Sequence, residues 1–356
     1  MENSAKEAIL VPGTLADEAL LFLQSGMPQI GKGGTSVEHP VVSVAMITYR
    51  QERYIREAMD SVLFQRISVP WEVVVGEDAS PDHTGKILMG YTEKDPQHIR
   101  LFLRKANLGA TRNLYEVLQA CTGRYIALLE GDDYWTDPDK IQKQVDYLES
   151  HPEAVACTHR CLFVDEHSRP IAKMPVNAWF YSGSCYTFAE FCRREMPGQV
   201  GTLVMRNVFQ NPRYDNRILY QAHPIVGDRT LFMLLAAQGD IHCLPEVMGC
   251  YRMVQHAGAS NWVSQSERRN VLDGNVRYLC ALEEYCRSEL KRPVSFEGAK
   301  REYYGQAFCK MLRNPSRENL AVVWNILHMS RRPVSLFCSG IAHLAGSVPR
   351  FLYGKK

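Results

Sequence analysis

Apolar, largely β-branched runs punctuate the first part of the chain: VVSVAMI (41–47), WEVVVGED (71–78) and YIALLEGDD (125–133). Each has strand length and lacks the alternation of a half-wetted sheet, so each predicts a strand buried on both faces. Between them the spacing becomes helical. Ile55, Met59, Val62 and Leu63 share one face between Arg53 and Gln65, and Thr84–Glu93, Ala110–Cys121 and Asp139–Ser150 read the same way. Arg100–Leu103 adds a short strand. This order predicts an α/β chain, doubly wound, with a mostly parallel central sheet flanked by helices. Ligands of such sheets sit beyond the carboxyl ends of the strands, so chemistry is expected just after Ile47, Val75 and Leu129.

The pattern is less regular from 153 to 250, where VACTHRCLFV (155–164) and GTLVMRNVF (201–209) read as strands and Asp228–Gln238 as a helix. Residues 265–356 are mostly helical in pattern. At the other end, Leu15–Leu23 reads as a short helix, followed by the linker-like IGKGGTSVEHP. The expected division is an appendage at 1–40, a catalytic domain at 41–262 and a C-terminal helical region at 263–356.

Composition narrows the class. The 356 residues are 46% hydrophobic and 22% charged, which fits a folded globular chain. A net charge of +2 gives no reason to expect a nucleic-acid partner. Eleven cysteines are few for a disulfide scaffold, and no secretory leader is recognisable, so reduced thiols and a cytoplasmic location are expected. No run is long and clean enough to predict a membrane-spanning helix. Residues 331–356 carry five Lys/Arg and no Asp or Glu, with Phe337, Ile341, Leu344, Val348 and Leu352 near one helical face. Such a segment suits either contact with the inner face of a membrane or packing onto the catalytic domain.

The strongest chemical signal is Glu130-Gly131-Asp132-Asp133-Tyr134-Trp135, at the end of an apolar strand. Three carboxylates in four residues repel one another unless something positive joins them, and a divalent ion (Mg²⁺ or Mn²⁺) meets that need. The competing reading is a solvated acidic turn. After the second strand, Asp78 is placed to accept hydrogen bonds from a nucleoside, while Ser80, Asp82 or Thr84 can cap the next helix. Asn107-Leu108-Gly109-Ala110-Thr111-Arg112-Asn113 is a turn entering a helix, with a cation one turn in that suits an anion. Cys157, Cys161 and His167 imitate zinc spacing but lack a second ligand pair, and ordinary strand residues are the expected outcome.

The ordered set VSVAMITYRQERYI, EVVVGEDASPDHT, NLGATRN, YIALLEGDDYWTDPDKIQKQ, GDRTLF and YRMVQH resembles the family 2 glycosyltransferases, which invert and have the A-type nucleotide-diphospho-sugar transferase fold. The resemblance implies that Thr48, Tyr49, Glu52 and Asp78 line a nucleoside pocket, with Asn107 and Arg112 nearby. It aligns Glu130-Gly131-Asp132 with the family's D-x-D motif, so that Asp132 holds the metal and Asp133 stands beside it. It assigns Asp228, in Gly227-Asp228-Arg229, as the general base, against the plain alternative of a helix cap. It brings Arg252 to the donor diphosphate and His256 to metal or phosphate. The chain departs from the family in having Glu130 for the usual Asp, Arg50 for a frequent Asn, and a histidine two residues late because Val254 takes its place.

The implied reaction is metal-dependent transfer of a sugar from a nucleoside-diphosphate sugar, UDP first, to a hydroxyl of a glycan or lipid-linked glycan of a cell-surface polysaccharide. The rivals are a sugar nucleotidyltransferase, a Rossmann dehydrogenase and a non-catalytic glycan- or nucleotide-binding scaffold. The first two want Gly-rich loops after the first strand, where this chain has TYRQERYI.

Overall fold

The computed structural model describes residues 40–177, 180–254 and 272–329. The expected helix at 15–23, the linker, the basic segment 331–356 and His256 lie outside the described residues.

The opening runs form strands β1 (Val42–Thr48), β2 (Trp71–Glu77), β3 (Ile99–Leu103) and β4 (Tyr125–Glu130). They alternate with helices α1 (Ile55–Leu63), α2 (Thr84–Lys94) and α3 (Ala110–Ala120). All pair in parallel in the order β3-β2-β1-β4. Successive strand side chains point to opposite faces. Accordingly Val44, Met46, Val73, Val75, Tyr125, Ala127 and Leu129 pack with α1 residues Ile55, Met59 and Val62 in one core. Ala45, Val74, Ile126 and Leu128 pack with Leu114, Val117 and Leu118 of α3 in the other. Both faces being covered is what their continuous apolar runs require.

Beyond β4 lie β5 (Tyr134–Trp135), α4 (Lys140–Ser150), β6 (Ala154–Val164), β7 (Cys185–Tyr186) and α5 (Phe188–Cys192). Then come a 3₁₀ turn at Val200–Thr202, β8 (Val204–Arg206), α6 (Ile218–Gln221), α7 (Asp228–Ala236) and β9 (Asp240–Arg252). Among the described residues three helices follow: α8 (Leu272–Ser288), α9 (Glu297–Arg313) and α10 (Arg317–Met329). Among the described residues the sheet continues from β4 as β8-β6-β9-β5, with β7 on β9. Here parallel and antiparallel pairs mix: β8 runs antiparallel to β4 and β6, whereas β6 and β9 are parallel.

Two expectations change here. The strand expected over 201–209 shrinks to Val204–Arg206, because Val200–Thr202 winds into a 3₁₀ turn under Gln199. The long strand β9 has no counterpart in the sequence reading. Pro245 and Glu246 interrupt its apolar pattern, and its ladder to β6 absorbs the break in register shifts near Arg160. Among the described residues, no helix is long and apolar enough to cross a membrane.

Candidate active site

The carboxyl ends of β1, β2 and β4 stand side by side, with Ile47 paired to Gly76 and to Glu130. Each end turns sharply. Arg50 and Ala79 adopt left-handed backbone, at φ 58° and 57°, conformations that non-glycine residues rarely enter. Asn tolerates that region better than Arg does. The Arg50 N–H is held by Ser80 Oγ at 2.9 Å, so the two turns brace one another. The helix α2 has His83 at its N-cap position and no side-chain cap there; Asp82, one residue earlier, accepts from the Thr84 N–H with Oδ1 at 3.0 Å.

Asp78 is buried, and both its carboxylate oxygens are engaged. Oδ1 accepts from the Leu108 N–H at 2.7 Å and Oδ2 from the Gly109 N–H at 3.0 Å. Asn107 donates to the Asp78 carbonyl at 3.1 Å. Gly109 has φ 88°, which is why this turn needs a glycine before α3 begins. Asp78 and Asn107 therefore come together, with Asp78 shaping the turn. Burial raises the Asp78 carboxyl above its ordinary range, and the two N–H donors oppose that.

The acidic turn after β4 is built differently. Gly131 lies against Thr48: a Cβ there would come within 2.7 Å of Thr48 Oγ1, itself buried without a hydrogen-bond partner. Asp133 is buried, its Oδ1 accepting from the Arg252 N–H at 2.8 Å and its Oδ2 from Gln199 Nε2 at 2.7 Å. The same Nε2 donates to Glu130 Oε2 at 3.1 Å. Burial first, then the charges of Asp132 and Asp228, push Glu130 up to about 8. Asp132 and Asp133 are also raised, chiefly by burial, and the Gln51 side chain offsets part of it at Asp132. Asp228 opens α7, takes the Arg229 N–H at 2.7 Å and is raised by burial. Glu130, Asp132, Asp133 and Asp228 thus share one neighbourhood: burial first, and then all four of their charges, hold the Tyr251 hydroxyl above its usual range.

Arg252 is buried and its donors are committed. Nε donates to the Asp132 carbonyl at 2.8 Å, one terminal nitrogen to Glu57 at 2.5 Å and the other to Ser168 Oγ at 2.9 Å. Its guanidinium also lies 4.6 Å from the Tyr54 ring centre. In this structure Arg252 supports the backbone of the acidic turn. Arg112 likewise is paired, with Glu116 at 2.8 Å and over the Tyr220 ring at 4.3 Å. Glu52 is exposed and accepts from the His83 N–H at 2.8 Å, which lowers its carboxyl. Tyr49 stacks under the Arg50 guanidinium at 5.3 Å.

Sequence reasoning missed Gln199, Glu57 and Gln51. Their partners are distant in the chain, 69 residues for Gln199 and Glu130, 195 for Arg252 and Glu57. Cys157 and Cys161 lie in β6, free and buried. Among the described residues, no three His, Cys, Asp or Glu side chains stand together as a metal-ligand set. Magnesium bound with a nucleoside diphosphate needs only one or two carboxylates, the phosphates and water supplying the rest. Asp132, half-buried beside Glu130 and Asp133, is a donor of the kind such a cation takes.

The model of the family described as glycosyl transferase family 2 matches residues 43–209. This stretch is a family 2 glycosyltransferase domain. The matched part spans β1 to β8 and holds the acidic turn and Gln199, while Asp228 and Arg252 follow it. Rv1520, an uncharacterized protein of Mycobacterium tuberculosis, is 37% identical over 224 residues, 60% of this chain and 59% of its own length. The chain therefore spans less than two thirds of that relative. TuaG of Bacillus subtilis, named for teichuronic acid biosynthesis as a glycosyltransferase, is 26% identical across 62% of this chain and 82% of its own. Among solved structures, S. aureus TarS 1–349 in complex with UDP-GlcNAc aligns with TM-score 0.59 and 14% identity, over 88% of this chain and 92% of that one. That likeness establishes the A-type fold with its C-terminal helices.

Proposed function

We propose that the chain transfers a sugar from a nucleoside-diphosphate sugar, UDP first, to a hydroxyl of a glycan or lipid-linked glycan, inverting the anomeric centre. The observation that carries this reading is the meeting of Glu130, Asp132, Asp133 and Asp228 beyond the carboxyl ends of β1 and β4. The UDP-GlcNAc complex of TarS supports the donor class, and the name of TuaG supports a polysaccharide acceptor.

Asp228 takes the proton of the acceptor hydroxyl while that oxygen bonds to the anomeric carbon. The bond from that carbon to the diphosphate oxygen breaks, and the nucleoside diphosphate leaves with the electron pair. A base performs best with its pKa near the working pH, and burial moves Asp228 upward in that direction. Asp132 is the residue that would hold Mn²⁺ or Mg²⁺, with His256 a further candidate outside the described residues. Such an ion, bound with the diphosphate, supplies positive charge to the leaving group. Asp78 and Asn107 set the turn that would bound the nucleoside, with Thr48, Tyr49 and Glu52 on the facing side.

Asp228→Asn tests the assignment. Asn keeps the size and accepts the Arg229 N–H, so the fold survives, yet it cannot take a proton. Turnover should fall about 10²–10⁴-fold, with UDP affinity in Mn²⁺ unchanged. Turnover near that of the unchanged protein would return Asp228 to a helix-end role.

A further inference from the structure

We propose that Gln199 is the positioning residue of the acidic turn, the neutral clasp that holds Glu130 and Asp133 in register for the bound donor. Its side-chain NH₂ has two hydrogens, and both are used: Nε2 donates to Glu130 Oε2 at 3.1 Å and to Asp133 Oδ2 at 2.7 Å. Its amide oxygen accepts from the Gly201 N–H. The amide therefore has a single permitted orientation. Turned over, its oxygen would face two carboxylates and its NH₂ would face an N–H.

The surrounding loop is built to hold it there. Gln199 is buried, and its carbonyl accepts from the Thr202 N–H at 2.9 Å and the Thr202 hydroxyl at 2.6 Å. A Cβ on Gly201 would come within 2.7 Å of Gln199 Oε1, and one on Gly198 within 2.7 Å of Thr202 Oγ1. From the other side, Trp135 Nε1 donates to the Gly201 carbonyl at 2.7 Å. The 198–202 loop and the 130–135 turn thus grip one another at two points. A neutral donor separates the carboxylates without neutralising them, which leaves the cluster's charge available to a cation. Lysine in that position would cancel the charge, and glutamate would add to it.

The test is a swap. Gln199→Glu keeps the acceptor for Gly201 and removes the donor. Asp133→Asn then restores a donor from the opposite partner, while its oxygen still accepts from Arg252. Gln199→Glu should lower the melting temperature by at least about 2 °C. Adding Asp133→Asn should recover about half of that loss or more, a coupling expected only of residues in contact. Adding Asp132→Asn, which Gln199 does not touch, should recover less. Equal recovery from both, or equal effects of Asp133→Asn in the two backgrounds, overturns the clasp.

The positioning role rests on the transferase reading and has its own readout. Gln199→Met, measured well below its melting temperature, should weaken UDP binding about tenfold in Mn²⁺, or one factor of ten per ~1.4 kcal/mol, and leave it unchanged without metal. A purely structural glutamine moves neither value. If the unchanged chain binds no UDP in Mn²⁺, the transferase reading fails, whereas the melting swap still decides the clasp.

Discussion

Asp78 and the Glu130–Asp133 turn are both acidic groups at the ends of neighbouring parallel strands, and the protein treats them in opposite ways. Asp78 is self-sufficient. Each of its oxygens has a backbone N–H, and the Asn107 amide ties the same turn from outside. The turn after β4 holds two carboxylates, Glu130 and Asp133, on one glutamine amide and one backbone N–H, with Asp132 between them met by the Gln51 side chain. The guanidinium that approaches it spends its donors on a carbonyl, a glutamate and a serine. The first arrangement builds a wall. The second crowds acidic groups so that burial and neighbouring charge favour their protonated forms, a state that a bound cation would relieve.

The largest effect that would break this contrast lies in the turn. Asp132→Ala removes the carboxylate assigned to the metal while leaving its backbone carbonyl for Arg252. UDP affinity in Mn²⁺ should fall on the order of 100-fold, about 2.7 kcal/mol, and metal-free affinity should stay the same. Titration calorimetry with and without Mn²⁺ reads both numbers. Equal losses under the two conditions would mean that Asp132 acts on the nucleotide without metal.

A smaller effect of another kind is expected at Asp78. Asp78→Ala removes the carboxylate that accepts from the Leu108 and Gly109 N–H groups at a part-buried turn, and losing hydrogen bonds to a charged group should cost about 1.5–3 kcal/mol. Asp78→Asn retains one acceptor and should cost roughly half as much. Denaturant unfolding measures both. If Asp78→Ala weakens UDP binding while stability is unchanged, the contrast fails, because Asp78 would then be a ligand group and not a wall.

The contrast also marks how much could be read before the fold was known. β1, β2 and β4 were legible because each is a continuous apolar run, and Asp78 and Asp132 because they stand at the ends of such runs. The alternation of Val73 and Val75 against Val74 into opposite cores follows from the strand period alone. β9 was hidden, since its pairing with β6 is bulged and its middle carries Pro245 and Glu246. Gln199 was hidden for a different reason. Nothing local distinguishes a glutamine that caps a 3₁₀ turn from one that also spans 66 residues to Asp133. The protein partners of Arg252 were hidden as well: its charge suggests an anion, and nothing local points to Glu57 or Ser168.

The smallest expected effect comes from the layer beneath the turn, where a cation is buried instead of an anion. Lys140, at the head of α4, is buried with its Nζ 4.0 Å from the Trp135 ring centre and without a hydrogen-bond acceptor. Burial pulls its amine down from 10.5 to about 7. A lysine lowered in the folded state is protonated more readily when the chain unfolds, so stability rises with pH between about 7 and 10.4 and is lost as pH falls toward 7. Below that the cost of burying the ammonium is fully present. Lys140→Met fills the same space without charge and should stabilise the fold. Its advantage should be larger at pH 6 than at pH 9 by on the order of 1–2 kcal/mol, since one unit of pKa shift is worth about 1.4 kcal/mol and the Trp135 ring retains some attraction for the charged form. An advantage that is the same at both values would mean that Lys140 stays protonated throughout, with the aromatic face alone sustaining a buried ammonium. A disadvantage at pH 6 would mean that the cation stabilises the layer directly under the carboxylates. The acidic turn would then be offset from below, and its contrast with Asp78 would narrow to a difference in the position of the compensating charge.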